Sequence, residues 1–202
     1  MNKKTPGTRG DIFRFLAALF LRPPDETLSD FNETHLKELR AVFKKNTGMK
    51  YFEEFPGKKT DFKPEREDYE NLFLIPASRY VHPYESVYLE KNGLLWGETT
   101  MQVKNLYDGV GFLHEEYEVP DHIGVELLFM SALCDEEDKL SETDPVGARK
   151  AHELQLEFLE KHLSRWVDKL ADNIHKKSAT PLYRGLVEMT REYIKHGNIK
   201  EL

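Results

Sequence analysis

Apolar residues recur every three or four positions along much of this chain, which is the spacing of helices that bury one face. The first such stretch is amphipathic and stops at Pro23-Pro24, because proline cannot continue a helix. Its apolar face consists of Ile12, Phe15, Leu16, Leu19 and Phe20. Residues 25–46 predict one or two further helices, and residues 49–63 predict an irregular loop. Strand-like alternation is sparse, so we expect an all-α protein.

The next part of the chain predicts a short helix followed by a long loop. Pro64 suits the first position of a helix, which then ends at Ile75-Pro76. Residues 77–97 predict a structured loop with tight turns at Asn92-Gly93 and at Gly97.

The second half carries four further helix starts. Thr99 or Thr100 is expected to cap one helix, and Pro120 to begin the next. The apolar stripe of that helix is Ile123, Leu127, Met130 and Cys134. Asp144-Pro145 and Thr180-Pro181 each combine a capping side chain with proline at the first helical position. The helix after Asp144 is predicted to be long.

Length and composition favour a single folded unit. A chain of 202 residues usually forms one domain. Its 39% of hydrophobic and 32% of charged residues suit helices with ion pairs on their outer faces. We therefore expect one globular multi-helix bundle over residues 1–202, with a possible hinge around 111–119 or 135–144.

Charge, cysteine usage and the N-terminus exclude several classes of protein. A net charge of −7 argues against a nucleic-acid binder, which would need a concentrated basic face. The single Cys134 excludes an internal disulfide and a multi-cysteine zinc site, which fits a reducing cytoplasm. Asp11 and Arg14 interrupt the apolar stretch near the N-terminus and no cleavage pattern follows, so we expect no signal peptide. No run approaches the roughly 18 apolar residues of a membrane span.

The adjacent Asp121 and His122 leave two interpretations open. Carboxylate and imidazole groups are common metal ligands, so the pair could belong to a metal-dependent phosphohydrolase. The order is inverted relative to the His-Asp pair of such enzymes, and no two histidines stand four residues apart around a glutamate. Alternatively, Pro120 and Asp121 begin a helix, with the carboxylate complementing its dipole. Because of the inverted order we expect no metal at this pair. Cys134 lies on an apolar stripe and Ser86 lacks a nucleophile elbow, so we also expect no catalytic residue.

The segment 82–99 mixes a proline, two tyrosines, a tryptophan and a glutamate. Aromatic residues in loops usually pack beneath them, which we expect for Tyr88 and Trp96. Tyrosine and tryptophan also suit a peptide-binding surface, because each offers a large apolar contact with a polar tip. A helical scaffold without a peptide groove, in which all these aromatics belong to the core, is therefore a further alternative.

Five short motifs follow one another along nearly the whole chain, from about residue 10 to 195. They are Tyr69-x-x-Leu72-Phe73, Pro83-Tyr84-Glu85-Ser86-x-Tyr88, Pro120-Asp121-His122-Ile123-x-x-Glu126-Leu127-x-x-Met130, Phe158-Leu159-x-x-His162-Leu163-x-x-Trp166 and Pro181-Leu182-Tyr183. Each is weak alone, but in this order the set resembles the TorD/DmsD/NarJ family of redox-enzyme maturation chaperones.

The resemblance implies a cytoplasmic, all-α, TorD-like protein that is not an enzyme, needs no cofactor and forms a monomer or a domain-swapped homodimer. Members bind the twin-arginine signal peptide of a molybdopterin oxidoreductase subunit and hold its apo-form back from export until the molybdenum cofactor is inserted. The peptide-binding residues implied here are Tyr69, Leu72, Phe73, Pro83, Tyr84, Asp121 and His122, and we add Glu85 and Glu126 from the same motifs. Tyr69 and Tyr84 stand where tryptophan is common in the family, so the client stays open.

The chemistry of these residue types suits the same role. A twin-arginine signal presents two guanidinium groups followed by an apolar segment, so its receptor needs carboxylates beside an apolar groove. An acidic cluster precedes the helix that carries Ile123 and Leu127, and the predicted aromatic residues could form the wall of the groove. The cluster consists of Glu115, Glu116, Glu118 and Asp121. A solvated run of charges is the other explanation of residues 115–118.

Overall fold

Helices account for the regular structure of the residues that a computed structural model of the chain describes, which are 8–44, 48–53, 61–114 and 119–196. The helices are α1 (Arg9–Leu21), α2 (Pro24–Leu28), α3 (Glu33–Val42), α4 (Met49–Phe52), α5 (Lys63–Tyr69), α6 (Glu85–Leu89), α7 (Glu98–Val110), α8 (Ile123–Leu140), α9 (Pro145–Phe158), α10 (Ser164–Lys177) and α11 (Pro181–His196). A π-helical turn over Glu70–Leu74 continues α5, and another over Leu159–Leu163 joins α9 to α10. In these ranges no strand forms, and the predicted all-α class is confirmed.

The helix α8 lies at the centre, with α1 packed against it in the opposite direction. Gly10, near the start of α1, faces α8 so closely that a Cβ there would lie 3.2 Å from the carbonyl oxygen of Ser131. Gly124, at the start of α8, has no room for a Cβ beside the side chain of Leu21, at the end of α1. The two glycines therefore let the helix backbones approach at both ends of the contact.

The predicted stripe of α8 is confirmed, because all four of its residues are buried. Ile123, Leu127, Met130 and Cys134 belong to one hydrophobic core, which also includes Trp166 of α10. The N-cap predicted at Asp144 is also confirmed, since its side chain accepts a hydrogen bond of 3.0 Å from the N–H of Gly147.

A buried carboxylate on α5 ties this helix to the connection between α10 and α11. Asp68 accepts hydrogen bonds from the backbone N–H groups of Ala179 and Thr180, at 3.0 and 2.9 Å, and from the hydroxyl of Ser178 at 2.7 Å. Arg79 completes the group as an ion pair with the same carboxylate. Because the accepted N–H groups lie just before α11, Asp68 stabilises the start of that helix from a distance.

A second polar group links α1, α8 and α9. Glu137 pairs with Arg9 at 2.6 Å and accepts a hydrogen bond from Gln155 at 2.7 Å. Burial acts to raise the pKa of Glu137, but the hydrogen bonds from Gln155 and Arg9 outweigh it and the pKa is lowered. The folded state therefore favours the charged carboxylate.

Two predicted helix starts and two predicted loops were wrong, and tertiary contacts explain the two helix starts. The helix predicted from Pro120 begins at Ile123 instead, with His122 as its N-cap. The helix predicted from Thr99 or Thr100 begins at Glu98, with Gly97 as N-cap, because the N–H of Thr99 donates to the Glu90 carboxylate at 2.8 Å. The predicted loops 49–63 and 77–97 contain the short helices α4 and α6, although 54–60 lie outside the described residues.

The long helix predicted after Asp144 is interrupted by the Leu159–Leu163 π-helical turn, which separates α9 from α10. The single-domain organisation and the hinge around 111–119 or 135–144 stay predictions. Within the described ranges, no helix combines the length and the apolar content that crossing a bilayer requires.

Candidate functional site

Two distant segments of the chain meet through a short antiparallel bridge between Tyr84 and His122. The N–H of Glu85 donates to the carbonyl of Asp121 at 2.9 Å, and the N–H of Ile123 donates to the carbonyl of Pro83 at 2.8 Å. The bridge therefore brings together two motifs that the sequence separates by more than thirty residues. We call the surface formed by Tyr84 and His122 the bridge surface.

Asp121 lies beneath this surface and holds α6 in place. Its side chain is fully buried, and one carboxylate oxygen accepts a hydrogen bond of 2.8 Å from the N–H of Ser86. Ser86 belongs to the first turn of α6, whose N-cap residue Tyr84 makes no capping hydrogen bond with its side chain. Asp121 therefore takes the place of a local capping side chain, and its negative charge suits the positive end of the helix.

His122 caps α8 with its own imidazole. Its Nδ1 accepts a hydrogen bond of 3.0 Å from the N–H of Gly124, and its ring meets the ring of Tyr84 edge to face at 5.4 Å. Burial lowers the pKa of His122 to about 4, so the imidazole is neutral at pH 7. Since Nδ1 accepts, the proton of the neutral ring is on Nε2, which is a hydrogen-bond donor. Tyr84 and His122 are both half-buried and reach the surface.

A group of buried carboxyl side chains lies behind the bridge surface. Glu85, Asp121 and Glu126 are each completely buried. Glu85 contacts Nδ1 of His162 at 2.9 Å, and the π-helical turn Leu159–Leu163 places that histidine. Burial raises the pKa of Glu126 well above its usual range, and the charges of Glu85 and Asp121 raise it further. Glu126 is therefore the member of the group that stays protonated.

Tyr107 supports the segment before the bridge. Its hydroxyl donates to the carbonyl of Pro120 at 3.0 Å, and its ring is buried. Burial raises the pKa of Tyr107 well above its usual range, and the nearby charges of Glu126, Glu85 and Asp121 raise it further. The hydroxyl therefore remains a donor at any physiological pH. The sequence motifs did not indicate this contact, because Tyr107 and Pro120 belong to different segments of the chain.

The structure places Tyr69, Leu72 and Phe73 in the core rather than on the surface. They are 4%, 0% and 6% exposed, and the rings of Tyr69 and Phe73 contact Tyr183. The carbonyl of Leu72 accepts a hydrogen bond of 2.7 Å from Val81, which fastens the following loop. The first predicted motif therefore supports the site from below.

The neighbouring Leu74 and Ile75 are the apolar residues that reach solvent here, at 57% and 45% exposure. They end the Glu70–Leu74 π-helical turn, whose wider winding changes which residues face outward. Both are as apolar as their buried neighbours, so residue type alone did not indicate that they reach solvent. Of the predicted acidic cluster, Asp121 is buried, whereas Glu115, Glu116 and Glu118 lie outside the described residues.

Comparisons with known proteins identify the class of this chain. The profile of the family described as nitrate reductase delta subunit matches residues 25–172. The chaperone protein TorD of Psychrobacter sp. (strain PRwf-1) is 24% identical over 92% of this chain and 88% of its own. The Tat proofreading chaperone DmsD of Salmonella typhimurium is 25% identical over 61% of this chain and 55% of its own.

A crystal structure from Archaeoglobus fulgidus, of a protein assigned to redox enzyme maturation, shares the fold. It superposes with a TM-score of 0.57 at 18% identity, over 96% of this chain and 98% of that one. The chain belongs to the nitrate reductase delta subunit family, the TorD/DmsD/NarJ group that the sequence motifs indicated. It is a redox-enzyme maturation chaperone and not an enzyme. Among the described residues, no group of three or more His, Cys, Asp or Glu side chains is arranged to hold a metal ion.

Proposed function

We propose that this chaperone acts in the cytoplasm, where it binds the twin-arginine signal peptide of a molybdopterin oxidoreductase subunit at the bridge surface. Binding would hold the apo-subunit back from export until its molybdenum cofactor is inserted. The observation that carries the proposal is the bridge itself, which joins two of the predicted motifs into one partly exposed surface. The similarity to the Salmonella Tat proofreading chaperone DmsD supports the same role.

The bridge surface offers chemistry suited to a peptide. The half-buried ring of Tyr84 supplies apolar contact, and Nε2–H of the neutral His122 can donate to a backbone carbonyl. The exposed Leu74 and Ile75, which we call the apolar lip, lie at the end of the π-helical turn that also carries Leu72 and Phe73. Exposed aromatic and aliphatic side chains are typical of surfaces that bind peptides.

The buried carboxyl groups enter the proposal as positioning residues. Asp121 holds α6 through Ser86, and Glu85 is held by His162. Because both carboxyl groups and Glu126 are enclosed, we infer that they act on the peptide indirectly, by supporting the segments that carry Tyr84 and His122. Contacts to the two arginines stay predicted for Glu115, Glu116 and Glu118. The oligomeric state, monomer or domain-swapped homodimer, also stays a prediction that sedimentation can test.

Isothermal titration with a synthetic peptide tests the proposal. A peptide with two arginines followed by an apolar segment should bind. A peptide with lysines at both arginine positions and serines in place of the apolar segment should bind at least about tenfold more weakly. Equal affinity for the two peptides contradicts signal recognition.

Two variants locate the site. Tyr84→Ala removes the exposed ring, and His122→Asn removes the imidazole while keeping a side chain that caps helices well. Each should raise Kd about tenfold. Val146→Ala, at an exposed position on α9, is the matched control and should leave Kd unchanged. Full binding by both site variants contradicts the placement.

A further inference from the structure

Three large apolar residues stand consecutively on an exposed turn that follows α6. Leu94, Leu95 and Trp96 are 60%, 41% and 59% exposed. We call residues 94–96 the Leu-Leu-Trp turn. Scattered apolar residues on a surface need no explanation, but a contiguous apolar patch usually marks an interaction site. Met101, in the first half of α7, is exposed by 46% and extends the apolar character beyond the turn.

The turn is held in one shape by Glu90. The carboxylate of Glu90 accepts the N–H of Thr99, and its carbonyl accepts the N–H of Gly93 at 3.1 Å. A Cβ at Gly97 would collide with the same carboxylate, so the glutamate fills the inside of the turn. Glu90 therefore presents the apolar side chains on a preorganised support instead of a loose loop, which lowers the entropy lost on binding.

The backbone of Trp96 is strained. Its φ is +62°, in the left-handed region that residues other than glycine seldom occupy. The same residue, Trp96, exposes a large apolar side chain to solvent. Backbone strain of this kind concentrates at sites that bind or react, because the surrounding structure must maintain it.

The helix α6 connects this turn to the bridge surface. Tyr84 precedes the helix, and the turn begins five residues after its end. Five helical residues and five extended ones span at most about 25 Å. The ring of Tyr88 packs on Trp166 at 5.3 Å and its hydroxyl donates to the carbonyl of His82 at 2.9 Å, so α6 is anchored to the body. The two surfaces therefore keep a fixed separation.

We propose that the Leu-Leu-Trp turn binds the apolar segment of the twin-arginine signal peptide. This inference rests on the proposed function and adds a second contact to it. In such a peptide an apolar segment follows the arginines, and about seventeen helical residues span about 25 Å, which is the largest separation of the two surfaces that the intervening chain allows. Leucine, tryptophan and methionine adapt to apolar segments of different sequence, as a chaperone for a variable leader requires.

Tryptophan fluorescence gives a direct readout, because the chain has two tryptophans and the other, Trp166, is completely buried. A tryptophan-free peptide with two arginines and an apolar segment should shift the emission of the full chain to the blue as Trp96 loses water. Trp96→Phe should bind the peptide with little change of Kd and lose the blue shift. The double variant Leu94→Ser/Leu95→Ser should raise Kd about tenfold or more. Val146→Ser, at a position exposed by 66%, should leave both signals unchanged.

The outcomes separate this inference from the proposed function. The inference is overturned if arginine-dependent binding causes no blue shift and the Leu94→Ser/Leu95→Ser variant binds with normal affinity. The proposed function is unaffected by that result. The inference also fails if Leu74→Ser/Ile75→Ser is the pair that abolishes binding, since the apolar segment then lies on the apolar lip. A further outcome, in the absence of peptide, is a blue shift that depends on protein concentration, together with dimers that Leu94→Ser/Leu95→Ser removes. This result overturns the inference, because the turn then binds a second copy of the chain. If no arginine-bearing peptide binds, the proposed function fails, and the inference fails with it.

Discussion

The protonated state of Glu126 makes a prediction about pH that can be worked out in sign and size. In the folded protein its pKa is raised by burial and by the charges of Glu85 and Asp121, whereas in the unfolded chain it is close to 4.5. Between these two values the unfolded chain releases a proton that the folded protein keeps. The free energy of unfolding therefore falls as pH rises, by about 1.4 kcal/mol per pH unit for this group, until the folded pKa is reached.

Glu126→Gln removes this titration while keeping the size of the side chain and a donor that can face Glu85. Urea denaturation at several pH values between 5 and 7 is the assay. The wild type should lose stability relative to the variant as the pH rises through this range, by at most about 1.4 kcal/mol per pH unit. Glu153→Gln, at an exposed position of α9, should run parallel to the wild type. A constant difference between Glu126→Gln and the wild type across this range refutes the reasoning.

Three other predictions follow from buried groups. Asp68→Ala leaves two backbone N–H groups and a guanidinium without their acceptor, so it should lower the free energy of unfolding, measured by urea denaturation, by about 3–5 kcal/mol. Asp108 is the exposed partner of a surface lysine, so the control Asp108→Ala should lower it by less than about 0.5 kcal/mol. The pKa of Glu137 is lowered in the folded protein. The stability that this group contributes is therefore present above its unfolded pKa and is lost as the pH falls through the folded pKa. In Glu137→Gln the free energy of unfolding should depend less on pH at acidic pH, which urea denaturation measures. Burial raises the pKa of Cys134 to about 12, so a thiol reagent at pH 8 should modify the protein only after urea unfolds it, and rapid labelling of the native chain contradicts this burial.

The parts of the fold that were predicted from sequence are those set by local pattern. The spacing of Ile123, Leu127, Met130 and Cys134 indicates a buried helix face whatever surrounds it, and the Asp144-Pro145 start depends on adjacent residues alone. The boundary at His122 depends instead on Pro83, whose carbonyl takes the N–H of Ile123 and delays the helix by three residues. Pattern along the chain carries no information about that partner.

The candidate site divides in the same way. Sequence motifs brought Tyr84 and His122 into one hypothesis, but they could not separate the residues that reach solvent from those that support them. Leu72 and Leu74 are two positions apart and chemically identical, yet one is buried and the other is 57% exposed, so residue type alone does not distinguish them. The raised pKa of Glu126 likewise depends on its burial and on the charges of Glu85 and Asp121 nearby in space, which spacing along the chain does not reveal.

Residues that contact the peptide can be distinguished from residues that support the site by measuring the stability and the peptide affinity of each variant. Tyr84 lies on the surface, so Tyr84→Ala should weaken peptide binding with little loss of stability. Asp121 is enclosed and holds the first turn of α6, so Asp121→Asn should weaken the hydrogen bond to Ser86 and reduce stability and binding together. Since α6 also leads to the Leu-Leu-Trp turn, the loosened helix should reduce the blue shift of Trp96 as well. An Asp121→Asn protein that loses binding at unchanged stability, with the blue shift of the remaining complex intact, would mean that the carboxylate touches the peptide directly and that α6 does not transmit its effect.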